Sequence, residues 1–511
     1  MPDLHVEDTS TEAPRTRLRK HLIQPEAIDL IPEALARKHT AIPLEISGNV
    51  LHVAMANPSD IIALEALEAH THMHIMPVKC SAKEIQDAID FNYRSYEEIE
   101  KQISSISLDM DESKRQVKFD TVTDAPVARA LTLIIDEAVK ARASDIHLQP
   151  QEDKLLVRYR IDGTLHNMLS LPLSTATPLI SRIKILANMN IADHHRPQDG
   201  QFSVRTRGGQ TIDVRVGTVA TVYGEMAALR LLDKSRAILD LTSLGFLPEI
   251  LAKYEEMLKV PHGMILVSGP TGAGKTTTLY ASINCLDCVG RNIITIEDPV
   301  EYRFANINQI QVNPRAGLTF ASGLRSILRL DPDVILVGEI RDAETARIAI
   351  QSALTGHLVL SSIHANDAVG VVFRLLDLGI EPFLVASALI GVIAQRMVRR
   401  VCPDCAQLTT VPLLEQMSYE KETGDKRTEF LCGNGCKSCS NTGYQGRTGL
   451  FEILKISDEI RMMLLKGTTA MELRNQAIKE GMIPLIKDGM RKVKQGITTP
   501  AEVLRNAYSV D

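Results

Sequence analysis

The sequence predicts an α/β protein: a C-terminal domain built on a parallel sheet, preceded by an α+β domain with antiparallel strands and a small N-terminal α/β unit. Three observations carry this. The chain has 511 residues, more than one hydrophobic core ordinarily serves, so several domains are expected. In the C-terminal half, unbroken apolar runs (Met264–Ser268, Ile293–Ile296, Val334–Val337 and Leu358–Ile363) alternate with helix-forming stretches, as strands buried on both faces do. Upstream, apolar and polar residues alternate along the strands, as in a sheet with one wet face.

Residues 1–20 are polar and charged and read as a disordered arm. The first unit spans 21–95. Its helical start carries Ile31, Leu35 and His39 on one face, and the strand Val50–Met55 is closed by the turn Asn57-Pro58-Ser59. Helices over Ile61–Ala69 and Lys83–Tyr93 complete it. Residues 96–120, rich in Glu, Ser, Asp and Lys, form the expected linker. The second domain, 121–235, opens with a helix, Ala125–Arg142, carrying Val127, Leu131, Ile134 and Ile135 on one side. In its strands Leu156, Val157, Tyr159 and Ile161 are interleaved with Arg158, Arg160 and Asp162, and Phe202–Arg205 and Ile212–Val216 flank the hairpin signal Gly208-Gly209. The parallel-sheet domain occupies 240–511.

Composition narrows the function classes. Hydrophobic residues make up 44% and charged residues 23%, an ordinary globular balance. Tryptophan is absent and aromatics are 4%, which supplies few platforms for stacking bases. The formal net charge of −6 also speaks against wrapping nucleic acid. The first 20 residues hold no apolar core of a signal peptide, and the longest apolar stretch, Phe383–Ala394, is too short to span a bilayer. The chain is therefore expected in the cytoplasm, with any membrane role running through partners. Eight cysteines in that setting direct attention to Cys-x-x-Cys pairs as metal ligands.

The sharpest signal is Gly269-Pro270-Thr271-Gly272-Ala273-Gly274-Lys275-Thr276, which satisfies G-x-x-x-x-G-K-[ST] directly after an apolar strand and before a helix-forming run that begins with Thr277. Such glycines let backbone N–H groups converge on the phosphates of ATP, and the helix N-terminus favours negative charge. Lys275 is expected to reach the β- and γ-phosphates and Thr276 to ligate Mg²⁺. Hydrolysis also needs carboxylates, and in open parallel sheets ligands lie beyond the carboxyl ends of strands. Two strands end in acids there: Ile293–Ile296 runs into Glu297 and Asp298, expected to contact the nucleotide, and then Glu301, and Val334–Val337 runs into Glu339. His357 and His364 bracket the next strand. Only His364 stands at the carboxyl end, which makes it the candidate γ-phosphate sensor.

Cys402-Pro-Asp-Cys405 and Cys436-Lys-Ser-Cys439 are two knuckles around an insertion. Four thiolates so spaced can close a tetrahedral Zn²⁺ site. Cys432 is a fifth candidate. Cys285, Cys288 and Cys80 read as buried cysteines without a metal role.

Together these segments resemble the secretion ATPase superfamily, in particular its type II secretion and type IV pilus assembly (extension) ATPases. The phosphate loop is similar to that family's Walker A, Ile294–Glu301 to its Asp box, Asp331–Asp342 to its Walker B and Thr355–His364 to its His box. The second domain resembles the family through Ala143–Pro150, Arg158–Gly163, Arg196–Gly200, Asp213-Val-Arg215 and the stretch Gly224 to Asp233. The departures are Ala220-Thr-Val-Tyr223 and Met226-Ala-Ala228. The resemblance covers about residues 22–508. It implies a RecA-like P-loop domain behind a PAS-like domain and an N-terminal adaptor domain, working as a homohexameric motor. Glu301 takes the place of the general base and Glu339 acts on magnesium through water. Arg215 and Arg230 match the arginines that reach a neighbouring subunit's ATP, and the four cysteines match the zinc element of the extension and secretion ATPases. Implied partners are an inner-membrane platform protein and a membrane-anchored adaptor, which would hold the motor peripherally at that membrane. Some adaptor domains bind cyclic di-GMP, but this chain starts late, without the preceding helical repeat, which speaks against that ligand. The competing reading is a RecA-like nucleic-acid translocase, for which Arg396, Arg399 and Arg400 are the densest basic cluster.

Overall fold

A computed structural model describes residues 25–28, 30–92, 124–232, 240–286, 288–439 and 442–507. The arm expected at 1–20 and the linker expected at 96–120 lie outside them. The chain divides into two compact units, one reaching to Leu232 and including Cys436–Asn441, the other formed by Asp233–Gly435 and Thr442–Asp511.

The N-terminal domain has three strands, β1 (Ala41–Ser47), β2 (Val50–Met55) and β3 (His74–Lys79), with β2 central, antiparallel to β1 and parallel to β3. Helices Ile61–Thr71 and Ala82–Asn92 accompany them. Only β2 is evident in the sequence. The flanking strands contain Pro43 and Pro77, which argue against a strand unless it lies at an edge, and both lie at edges. Helix Ile61–Thr71 starts where expected because the Asp60 side chain accepts the Ala63 N–H at 3.1 Å.

The next domain is a six-stranded antiparallel sheet: β4 (Ala143–Pro150), β5 (Lys154–Ile161), β6 (Thr164–Pro172), β7 (Gln198–Arg205), β8 (Thr211–Thr221) and β9 (Gly224–Leu232). Their spatial order is β6-β5-β4-β9-β8-β7. Alternate residues, among them Ile146, Leu148, Val157, Tyr159, Val214, Val216 and Leu229, are buried in one core with residues of the helices Asp124–Lys140 and Ala176–Leu186. The Tyr159 hydroxyl donates to the Ile134 carbonyl at 2.6 Å, satisfying a polar atom that the core takes in. The β7–β8 hairpin turns at Gly209, whose φ of 82° suits glycine.

The C-terminal domain is a seven-stranded sheet ordered β12-β11-β13-β14-β10-β15-β18. Its members are β10 (Gly263–Ser268), β11 (Ile293–Glu297), β12 (Asn308–Gln311), β13 (Val334–Val337), β14 (Leu358–Ile363) and β15 (Leu389–Val401), all parallel, and β18 (Tyr444–Lys455), antiparallel to β15. Successive residues of one strand enter different cores: Met264 and Leu266 join one, Ile265 and Val267 the other. This is why these strands read as continuous apolar runs, since both faces are covered.

Between β15 and β18 the chain forms the expected insertion, a two-stranded antiparallel hairpin of β16 (Ala406–Thr410) and β17 (Glu429–Gly433) joined by the helix Leu413–Thr423. At its base Gly433 and Gly443 pass backbone to backbone. A Cβ on either would lie 2.0–2.2 Å from the other's carbonyl oxygen, so both positions require glycine. Among the described residues no helix is long and apolar enough to cross a membrane.

Candidate active site

Strands β10, β14, β13 and β11 are mutually parallel, so their carboxyl ends share one edge of the sheet. The phosphate loop leaves β10 there. Gly269, Gly272 and Gly274 have φ of 147°, 80° and 87°, all in the region open to glycine. The helix Lys275–Asn284 that follows starts at Gly274 with no side-chain cap, whereas Asp342, Asp367, Ser457 and Thr469 cap later helices. Its N–H groups are thus open to an anionic ligand. Lys275 Nζ donates to the carbonyls of Gly269 and Pro270 at 2.8 and 3.2 Å. Burial pulls its pKa below the usual lysine range, the nearby Glu339 charge opposes this, and Arg396 adds to the lowering. Thr276 is exposed on the first turn, and the buried Ser268 hydroxyl at the end of β10 has no partner among the described residues. An open helix terminus, an ammonium and an exposed hydroxyl are the donor set that fits a nucleotide phosphate with Mg²⁺.

Because β14 lies between β10 and β13, His364 comes to stand between the phosphate loop and Glu339. Its Nε2 is 3.6 Å from one Glu339 oxygen, and the other oxygen accepts from Arg341. That pairing raises the Arg341 pKa, with Asp298 contributing. Lys275, Glu339, Arg341, His364 and Asp298 are therefore electrostatic neighbours. Ser361 and Ser362 of β14 donate to the Val337 and Gly338 carbonyls at 2.7 and 2.8 Å, fixing the strand end that carries Glu339. His357 lies at the opposite end of β14, where its Nδ1 meets the Ser352 carbonyl at 2.9 Å.

Glu297 departs from the expectation that it contacts nucleotide. It is buried, and both oxygens are taken: one by the Tyr280 hydroxyl, the other by Thr295 Oγ1 at 2.6 Å and Gln309 Nε2 at 3.2 Å. The last residue of β11 still lies within the sheet, so its side chain enters the core. Asp298, one residue beyond, is exposed. Glu301 is partly buried, and its N–H donates to the Tyr280 hydroxyl at 3.2 Å.

Gln395 was not singled out in the sequence. Buried on β15, it donates to the Ala273 carbonyl at 2.6 Å and accepts from the Thr278 hydroxyl at 2.9 Å, clamping the phosphate loop to its helix. The available signal was an amide directly following the apolar run that ends at Ala394. Two of the three arginines in the neighbouring basic cluster are absorbed by the fold, and Arg400 is exposed. Arg396 is buried and donates to the Asn366 and Gln395 carbonyls; Arg399 pairs with Glu502 and lies 4.1 Å over the Tyr444 ring. This removes the feature that favoured a nucleic-acid translocase.

Arg215 and Arg230 are brought together, directly opposite each other on β8 and β9. Like charges so placed repel, and Asp145 offsets this by accepting from Arg230 Nε at 3.0 Å.

The sulfurs of Cys402, Cys405, Cys436 and Cys439 all lie within 4.8 Å of one another. Cys436 and Cys439 are 3.7 Å apart, close to the roughly 3.8 Å that four 2.3 Å Zn–S bonds imply. Cys432 is outside this group, so the set is four rather than five. Cys285 corrects a second expectation: the helix ends at Asn284 and leaves Cys285 exposed, while Cys80 is buried as expected.

Residues 120–505 match the family model of the type II/IV secretion system protein, and residues 12–98 that of the MshEN domain. The chain is 41% identical to the type IV pilus assembly ATPase PilB of Myxococcus xanthus over 504 residues, 96% of this chain and 88% of that one. It is 41% identical to the type II secretion system protein E of Dickeya dadantii over 492 residues, 94% and 97% of the two chains. Among solved structures, the pilus retraction motor PilT with bound ADP matches with a TM-score of 0.52 at 27% identity, over 74% of this chain and 97% of that one. The Legionella pneumophila ATPase DotB matches in fold with a TM-score of 0.56 at 22% identity, over 76% and 96%.

Proposed function

This chain belongs to the type II/IV secretion system protein family, and we propose that it is a motor ATPase whose hydrolysis drives assembly of a type IV pilus or a type II secretion pseudopilus. Its enzymatic core is a P-loop ATP hydrolase on a RecA-like domain. The observation that carries the reading is the convergence of Lys275, Glu339 and His364 beside an uncapped helix N-terminus.

In this reading Gly269–Gly274 and the open N–H groups cradle the phosphates, with Lys275 moving from the loop carbonyls to the β- and γ-phosphates. The first-turn hydroxyls of Thr276 and Thr277 and the exposed Asp298 serve the bound nucleotide; Thr276 would hold Mg²⁺, with Glu339 acting on it. The ion supplies charge neutralisation on the phosphates. Glu301 takes the proton from the attacking water, and His364 reads the presence of the γ-phosphate. The cysteine cluster holds Zn²⁺ as a closed structural site that pins the insertion. The working unit is a homohexamer in the cytoplasm, in which Arg215 and Arg230 complete the site of an adjacent protomer. The N-terminal domain docks the ring on a membrane-anchored adaptor, and an inner-membrane platform protein receives the work.

Steady-state hydrolysis and nucleotide binding test the core of this. Lys275→Ala should abolish turnover by removing the cradle's charge. Glu339→Gln should keep ATP binding while stopping turnover, since its carboxylate acts in the transition state. Wild-type turnover in Glu339→Gln would reject the assignment.

A further inference from the structure

The loop that carries Glu301 is fastened to the nucleotide-binding helix through Tyr280. Tyr280 projects from that helix, five residues after Lys275, and its hydroxyl meets two kinds of partner. It donates to Glu297, whose remaining oxygen is held by Thr295 and Gln309. It accepts the backbone N–H of Glu301 at 3.2 Å, and the Tyr302 N–H is directed to it as well. The buried Glu297 carboxylate can only accept, so it takes the phenol's single proton and leaves the phenol's lone pairs turned to the backbone. The ring is held edge-on by Phe304 and Tyr302, with centroids 5.0 and 6.1 Å away. The rest of the loop is tied from β12: Gln309 donates to the Tyr302 carbonyl at 2.9 Å and accepts the Phe304 N–H at 2.9 Å, and Gln311 accepts the Val300 N–H at 3.3 Å.

We propose that Tyr280, oriented by Glu297, is a positioning residue that keeps Glu301 in register with the phosphate-binding helix. β12 holds the loop to the sheet; Tyr280 holds it to the helix on which the nucleotide sits. A base and a cradle carried on separate elements need such a link, because proton abstraction tolerates little error in distance. The inference rests on the proposed role of Glu301 and adds the residue through which that role depends on the helix.

The test compares Tyr280→Phe, Glu301→Gln and the double variant, all in the full chain, by ATP turnover, KM, ADP affinity and thermal midpoint. Tyr280→Phe keeps the ring among Tyr302 and Phe304 and removes only the hydroxyl. It should lower kcat by about ten- to a hundredfold, the size of effect a small misplacement produces, while KM and ADP affinity stay close to wild type and the midpoint falls only by the few degrees that one unpaired Glu297 oxygen costs. In the Glu301→Gln background it should cost nothing further, since the group it positions is already gone. Wild-type kcat in Tyr280→Phe beside an inactive Glu301→Gln would overturn the positioning role alone. A parallel loss of kcat, ADP affinity and thermal midpoint would overturn it too, showing general loosening. Wild-type turnover in Glu301→Gln would instead reject the general base, and the inference with it.

Discussion

Replacing Gln395 with methionine should detach the phosphate loop from β15 without emptying the core. Methionine has nearly the same length and volume, so no cavity term is added. What is lost is the 2.6 Å bond to the Ala273 carbonyl and the 2.9 Å bond from the Thr278 hydroxyl. Each is worth about 0.5–1.5 kcal/mol net, so the pair contributes about 1–3 kcal/mol. Part of the cost falls on the loop conformation that binds nucleotide. If all of it does, affinity falls by about 5–150-fold, and the observed loss should lie at or below that ceiling but well above experimental scatter. The assay is ADP binding followed by a fluorescent analogue, beside the thermal midpoint of the ligand-free chain. A large affinity loss with a small shift in midpoint is expected, because the bonds hold a local loop. ADP affinity within about twofold of wild type, less than 0.5 kcal/mol, would refute the clamp.

Three further outcomes follow from the geometry. Protein purified without chelator should carry about one zinc per chain, and Cys402→Ser with Cys439→Ser should lower that content while sparing ADP binding; equal zinc in both proteins, by metal analysis, would reject the site. Turnover per chain should rise with protein concentration as rings assemble, and Arg230→Ala should depress it by up to about 10³–10⁵-fold if the residue acts as a true finger, with partial rescue on mixing with Lys275→Ala chains; concentration-independent activity without rescue would return the arginines to the surface. Lys492→Met should destabilise the C-terminal domain by about 3–5 kcal/mol, since it strips a buried Asp488 of its partner at 2.7 Å, and adding Asp488→Leu should recover much of the loss; a thermal midpoint equal to wild type in the single variant would count against this pair.

The phosphate loop, the strands that deliver Glu301, Glu339 and His364 to one edge, and the cysteine framework are all legible in the amino-acid order. The reason is that each is dictated locally. Glycines at positive φ, an ammonium after them and an apolar run before them read the same in any context, and parallel strands leave a continuous apolar trace because both faces are covered. The edge strands β1 and β3 were illegible because proline at an edge mimics a loop, and only pairing with β2 shows otherwise.

Which polar residues serve the site and which support it depends on packing between distant segments. Glu297 and Glu301 are four residues apart in one acidic box, yet one is sealed in the core and the other carried on the loop beyond it. Gln395 and Tyr280 lie within apolar or helical text and gain meaning from Ala273, Thr278 and Glu301, which share no local pattern with them. Arg396 and Arg399 look like a basic surface until Asn366 and Glu502 arrive from other parts of the chain. A side chain's chemistry is written in the sequence, but whether its charge is spent inside the fold or offered outward depends on partners that only packing brings within about 3 Å.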